Sequence, residues 1–212
     1  MEKLWNRMSN VFDSTEKRLA FIINNLQYCV NTAKERKVSQ QDVQAFQELL
    51  DERVRRFVEE ELRRHFGKMI EFVGRVEQQM REKASSEEQT KSSSAAAETG
   101  DSGPAHSTVA LSAQSIPDVD PDITREEAKE IANDFIAHWQ NRISNLDHNV
   151  KSYFGNSSNG SEIFKKTLAQ FLIYYTRFQA ILKKAFPENP DFRKNLVTVN
   201  AIYTEIGKHR GA

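Results

Sequence analysis

The side chains able to do chemistry in this sequence are few and widely spaced. Its five histidines, His65, His106, His138, His148 and His209, include no pair at i,i+3 or i,i+4. None stands near the lone Cys29 at a metal-binding spacing, so no metal site is expected. Gly155 and Gly160 lack both the intervening glycines and the following Lys-Ser/Thr pair of a phosphate loop. No nucleotide or other cofactor is expected either. Glu59, Glu60 and Glu61 form a charged run with Arg63 and Arg64 one turn on. That pairing reads as a solvated helix face, not as a carboxylate tuned for acid/base work. No catalytic, cofactor-binding or metal-ligating residue emerges, the binding residues stay unknown, and the expected class is non-enzymatic.

Two further features have a packing role and a functional one to weigh. The stripe Phe164, Phe171, Tyr175 and Phe178 has helical spacing, which predicts core packing over ligand or bilayer contact. Lys165, Lys166, Arg177, Lys183 and Lys184 form a loose basic cluster on the same stretch, a secondary candidate for an acidic partner or lipid head groups. Cys29 has no partner for an internal disulfide and falls among Ile22, Leu26 and Ala33. That setting predicts a buried reduced thiol on an apolar helix face.

Something must position or leave unpacked all of these. Across 212 residues the hydrophobic fraction is 38%, below the globular average, so part of the chain is expected not to pack. Thirty Lys+Arg balance thirty Asp+Glu, which removes the overall field that would draw in nucleic acid or an anionic membrane. Met1 to Val11 alternates apolar and charged residues in helical rhythm and lacks the apolar run of a signal peptide or membrane span. The expected setting is the cytosol or the periphery of a membrane. The Asn-x-Ser matches at Asn156 and Asn159 read as turn residues.

Apolar periodicity predicts long helices. Leu4, Met8, Val11, Thr15, Leu19, Ile22, Leu26, Cys29 and Ala33 make one stripe, with a capping signature from Asp13 to Glu16 that predicts a break. A second helix is expected from a Ser39 cap, with Asp42 three residues on, to about Glu82. The short connection around Lys37 folds the two into an antiparallel hairpin. From 83 to 121 the composition shifts to Ser, Ala, Glu, Thr and Gly, which predicts a disordered linker. Thr124 and Glu127 then suggest a capping box before a third helix ending near Phe154. A turn over Gly155 to Gly160 and a Ser161 cap lead to a fourth, stopped by Pro187 and Pro190. A last helix is expected from about Asp191 to His209, facing inward with Leu196, Val199, Ile202, Tyr203 and Ile206.

Burying about ten large apolar side chains of the fourth helix is worth roughly 15 to 30 kcal/mol. Ordering its backbone costs a similar amount, so no helix here stands alone. The expected fold is all-α, an elongated rod of helical bundles: a hairpin over 1–82, the linker over 83–121 and a three-helix segment over 122–212.

Local strings carry a resemblance as well. Phe21-Ile22-Ile23-Asn24-Asn25, Phe46-Gln47-Glu48-Leu49-Leu50 with Phe57, Glu59 and Glu60, then Phe66-Gly67 and Phe72-Val73 fall in register. Tyr175, Phe178, Glu205, Lys208 and His209 continue the match beyond the linker. Together they resemble the C-terminal region of the vacuolar protein sorting-associated protein fifty-two family. The resemblance implies a subunit of the Golgi-associated retrograde protein complex and its endosomal recycling relative, which capture endosome-derived carriers through rods of helical bundles. It implies sister tethering subunits as partners, SNARE proteins and a Rab-type GTPase as further ones, and peripheral membrane attachment through them. The cytoplasmic face of the trans-Golgi network and endosomes is the implied location. Family members are much longer, so the chain reads as a C-terminal fragment, a truncated gene model or a short paralogue. Arg63-Arg64-His65 stands where the family pattern has a proline-marked break, which predicts a straighter second helix. The alternative reading is a membrane-surface module for anionic lipid, or an unrelated helical adaptor.

Overall fold

Residues 2–94, 125–155, 158–187 and 195–209 are described by a computed structural model. Among them are six helices and no strand: α1 (Glu2–Ser9), α2 (Thr15–Glu35), α3 (Gln40–Ser94), α4 (Arg125–Phe154), α5 (Ser158–Ala185) and α6 (Val199–His209). The break expected near Asp13 separates α1 from α2. The cap itself is Ser14, whose extended backbone lets its hydroxyl accept from the Lys17 amide at 3.3 Å, while Asp13 pairs with the Lys17 ammonium at 2.9 Å.

The hairpin turn is built on Lys37, a non-glycine residue at φ 53°. Val38 N donates to Ala33 O at 3.0 Å across it, and Arg36 N to Thr32 O at 3.0 Å. These bonds satisfy carbonyls that the end of α2 would otherwise leave open. Ser39 caps α3 as the sequence suggests, accepting from Asp42 N at 3.2 Å and donating to the Asp42 carboxylate at 2.6 Å.

Three elements depart from expectation. First, α3 does break, at Phe66, whose φ of −128° and ψ of 22° lie outside the helix. Gly67 follows, and its unbranched backbone lowers the cost of the bend. The buried Phe66 ring fills the corner, 4.5 Å from Phe171 and 6.1 Å from Phe135. Second, α3 reaches Ser94, so the first residues expected in the linker are helical backbone. The rest of the expected linker, from 95 to 121, and the Thr124 cap lie outside the described residues. Third, α5 begins at Ser158 rather than at a Ser161 cap, and α6 runs from Val199, while Asp191, where the last helix was expected to start, lies outside the described residues. Thr198 is the cap there, its hydroxyl accepting from Ala201 N at 3.1 Å.

The α4–α5 corner shows why its glycines are needed. Gly155 sits at φ 64°, and its amide donates to Lys151 O at 2.8 Å to close α4. A Cβ on Gly160 would meet Gly155 O at 2.7 Å and Phe154 Cβ at 3.2 Å, so only glycine fits.

One core runs through the molecule, with α3 as its spine. Its first half lies antiparallel to α2, where Leu19, Ile22, Ile23, Leu26 and Val30 meet Leu50, Val54, Phe57 and Val58. Its second half packs on α4 and α5 through Phe66, Phe72, Val73 and Val76. Aromatic contacts join these elements: Phe57 with Phe154 at 5.0 Å, Phe135 with Tyr175 at 4.5 Å, and Phe72 with Phe178 at 5.7 Å. The helices on either side of 83–121 therefore share their packing. Helices α4 and α5 also reach back along the first half of α3, through Phe154 on Phe57 and Lys166 on Asp51, so α3 is lined along most of its length.

Candidate interaction surface

A polar clasp sits beside the break in α3. Glu61 is fully buried, correcting the expectation that Glu59, Glu60 and Glu61 all lie on the surface. The other two are half-buried. Asn149 of α4 donates to Glu61 Oε2 at 3.1 Å and lies 3.3 Å from His65 Nε2, which is itself 3.6 Å from the same carboxylate oxygen. Arg64 bonds Glu16 of α2 and stands 3.8 Å from Glu61 Oε1. Oε1 has no hydrogen-bond partner among the described residues. Burial opposes ionisation of Glu16, but backbone and Ser14 hydrogen bonds and the Arg64 guanidinium together hold its carboxyl below the ordinary carboxylate value. The clasp thus ties α2, α3 and α4 together where the spine bends. A signal for it was present, because Glu61 and His65 continue the Phe57 stripe at i,i+4 steps.

The resemblance strings lie close by. Ile22 and Ile23 are buried, while exposed Asn24 donates to Tyr153 O at 3.3 Å and so joins α2 to the end of α4. Asn25 bonds back to Phe21 O at 2.7 Å. These residues hold helices together, and Asn24 and Leu50 also line an open cleft of about 610 Å³ between α2, α3 and α5.

At the far end, Tyr175 and Gln179 of α5 reach the segment before α6, donating to Val197 O at 2.5 and 3.2 Å. Burial pushes the Tyr175 hydroxyl far above its ordinary value, so it stays a donor at all physiological pH. This strap sets α6 down mainly on α4, burying Ile202 and Ile206. An open groove of about 480 Å³ remains between α5 and α6, lined by Leu168, Leu172, Ile173, Thr176, Tyr203 and Ile206. Ile173 and Tyr203 are 43% and 54% exposed. Tyr203 was expected inward and points outward, because α6 turns Ile202 and Ile206, with Val199 partly, to the core.

Other expected positions sort as follows. Phe164, Phe171, Tyr175 and Phe178 are all buried, as core packing requires. Cys29 is half-buried against the core and not enclosed. Leu4, Met8 and Val11 are exposed, since Trp5 and Ser9 are the α1 residues turned inward. The basic cluster is largely neutralised: Lys165 pairs with Glu162 at 2.6 Å, Lys166 with Asp51 at 3.0 Å and Arg177 with Glu77 at 3.5 Å. His138 lies 3.3 Å from Asp134, and His148 is exposed on α4. His106 and the side chain of His209 lie outside the described residues. No group of three metal-ligating side chains forms among the described residues, and no described helix is long and apolar enough to cross a membrane.

What these features define is an all-helical element, with polar joints between helices and an open, partly apolar groove between α5 and α6. Comparison with known proteins is more particular. Vacuolar protein sorting-associated protein 52 A of Arabidopsis thaliana is 26% identical over 96% of this chain. The Homo sapiens homologue of vacuolar protein sorting-associated protein 52 is 24% identical over 96%, and the Arabidopsis protein 52 B is 24% identical over 99%. The chain has homologues of that name, therefore, from plants and mammals across nearly its whole length. It spans about a quarter of the length of these relatives. No family model matches it, and no solved structure does.

Proposed function

We propose that this chain is the helical-rod part of a subunit of a multisubunit vesicle-tethering complex, acting as a protein-interaction scaffold without enzymatic activity. The pathway it serves is endosome-to-Golgi retrograde transport and endocytic recycling. Sister tethering subunits are its primary partners, with SNARE proteins and a Rab-type GTPase as the cargo-side and membrane-side contacts. It attaches peripherally, through those partners, at the cytoplasmic face of the trans-Golgi network and endosomes.

The observation that carries this reading is the similarity to vacuolar protein sorting-associated protein 52 over 96% of the chain. The fold supports it, because an elongated helical array with one continuous core presents long helical faces to partners. The α5–α6 groove, with Ile173 and Tyr203 exposed along it, offers an apolar face for a helix from a sister subunit. A membrane-surface role for Lys165, Lys166 and Arg177 is disfavoured by their ion pairs within the fold.

Affinity purification of the tagged chain from its native cells, followed by mass spectrometry, tests the reading. Recovery of sister tethering subunits is expected, and loss of them on Ile173→Asp/Tyr203→Glu, at unchanged helix content, would place contact in the groove. Recovery of chaperones alone would overturn the assignment.

A further inference from the structure

The face of α1 that points away from α2 is built differently from the groove. Leu4, Met8 and Val11 follow one another at i, i+4 and i+7, and are 57%, 48% and 82% exposed. Val11 lies in the turn that follows α1, where the Asn10, Val11 and Phe12 amides bond three residues back to the Arg7, Met8 and Ser9 carbonyls at 3.3, 3.4 and 3.1 Å. On one side of this stripe the helix turns inward through Trp5 and Ser9, both buried. On the other side, one position before each of the first two anchors, stand Lys3 and Arg7, both exposed. Trp5 and Leu4 differ by about 100° around the helix, as do Lys3 and Leu4 in the opposite sense. The stripe is thus bordered by fold on one edge and by cations on the other. Lys17 is paired with Asp13 at 2.9 Å and Arg64 with Glu16, while Arg18 donates to Phe12 O at 2.9 Å.

We propose that this face docks an amphipathic helix of a partner protein, one whose apolar stripe is edged on a single side by acidic residues. Leu4 and Met8 one turn apart on the helix, with Val11 exposed in the turn beyond them, make an apolar strip along which one helix can lie on another. The two exposed cations, which have no ion pair among the described residues, decide the partner's charge and its orientation, because only one edge of the incoming helix meets them. This inference is independent of the retrograde-transport assignment.

A hydrocarbon-stapled helical peptide with leucines at i, i+4 and i+7 and glutamates along one edge serves as the probe, beside a counterpart with lysines at the same edge. Binding to the full chain is followed by fluorescence anisotropy. The acidic peptide is expected to bind about tenfold tighter than the basic one, with the gap shrinking as salt is raised. Lys3→Glu/Arg7→Glu should reverse the preference, and Leu4→Ser/Met8→Ser should abolish binding of both peptides. Circular dichroism of each variant controls for folding, since all four side chains are exposed. Equal binding of the two peptides overturns the proposal. So does a wild-type dimer in sedimentation that Leu4→Ser/Met8→Ser dissociates, which makes the occupant a second copy. Binding confined to phosphatidylcholine–phosphatidylserine vesicles, and lost in the same variant, overturns it in favour of a lipid surface.

Discussion

At the residue scale, single positions carry backbone or polar burdens that substitution should expose. Lys37 holds a left-handed conformation that glycine adopts more readily, and its backbone closes the α2–α3 turn. Lys37→Gly is expected to stabilise the protein by about 0.5–1 kcal/mol, read as an upward shift in the urea midpoint. A lower midpoint would show that the lysine side chain contributes more than the conformation costs. The carboxyl of Asp134 behaves differently. Its two hydrogen bonds from Arg142, at 2.8 and 3.0 Å, hold it below the ordinary value of 3.8 against the opposing effect of partial burial. A depressed carboxylate adds stability that is complete above its unfolded value and disappears as pH falls through the lower folded value. Urea midpoints of the wild type should therefore fall toward those of Asp134→Asn as pH drops from neutral to below 3.8. Midpoints that stay parallel across that range would remove the Arg142 pairing as a source of stability.

Elements are joined by a small number of polar contacts, and the strap on α6 is the one most open to test. Tyr175→Phe removes the donor to Val197 O while keeping the ring against Phe135 and Phe171. A cost of about 1 kcal/mol is expected. Hydrogen exchange should rise in α6 more than in α3 or α4, because Val197 leads directly into that helix. Uniform loss of protection would mean that the hydroxyl serves the core as a whole. By contrast, Phe66→Ala should act on the entire spine. Its ring is buried where α3 bends and touches α4 and α5, so a loss of about 3–5 kcal/mol in global stability is expected. An effect below about 1 kcal/mol would show that the corner refills.

For the whole molecule, the decisive property is that both halves of the chain share one core. Residues 1–94 and 122–212, expressed as two polypeptides, should assemble and co-elute in gel filtration, because α3 meets α4 and α5 through Phe66, Phe72 and Phe178. Separate elution would make the covalent connection essential to the fold. Much of this architecture was legible beforehand. Helix type, the Ser39 cap, the break before α2 and the end of α4 follow from local spacing and capping chemistry, which act within a turn or two of chain. The burial of Glu61 was less visible, since a charged run of glutamates and arginines reads as solvent-facing until a second helix supplies Asn149.

Local sequence by itself thus determined the helical class, most helix positions, the aromatic core face of α5 and the likeness to vacuolar protein sorting-associated protein 52. Those properties depend on periodicity and short motifs, which each segment carries without its neighbours. Only the tertiary structure decided the bend at Phe66, the clasp around Glu61, the outward turn of Tyr203 and the exposure of Leu4, Met8 and Val11. Each of these depends on which helix packs against which, and an apolar stripe is the same in sequence whether a neighbour covers it or not.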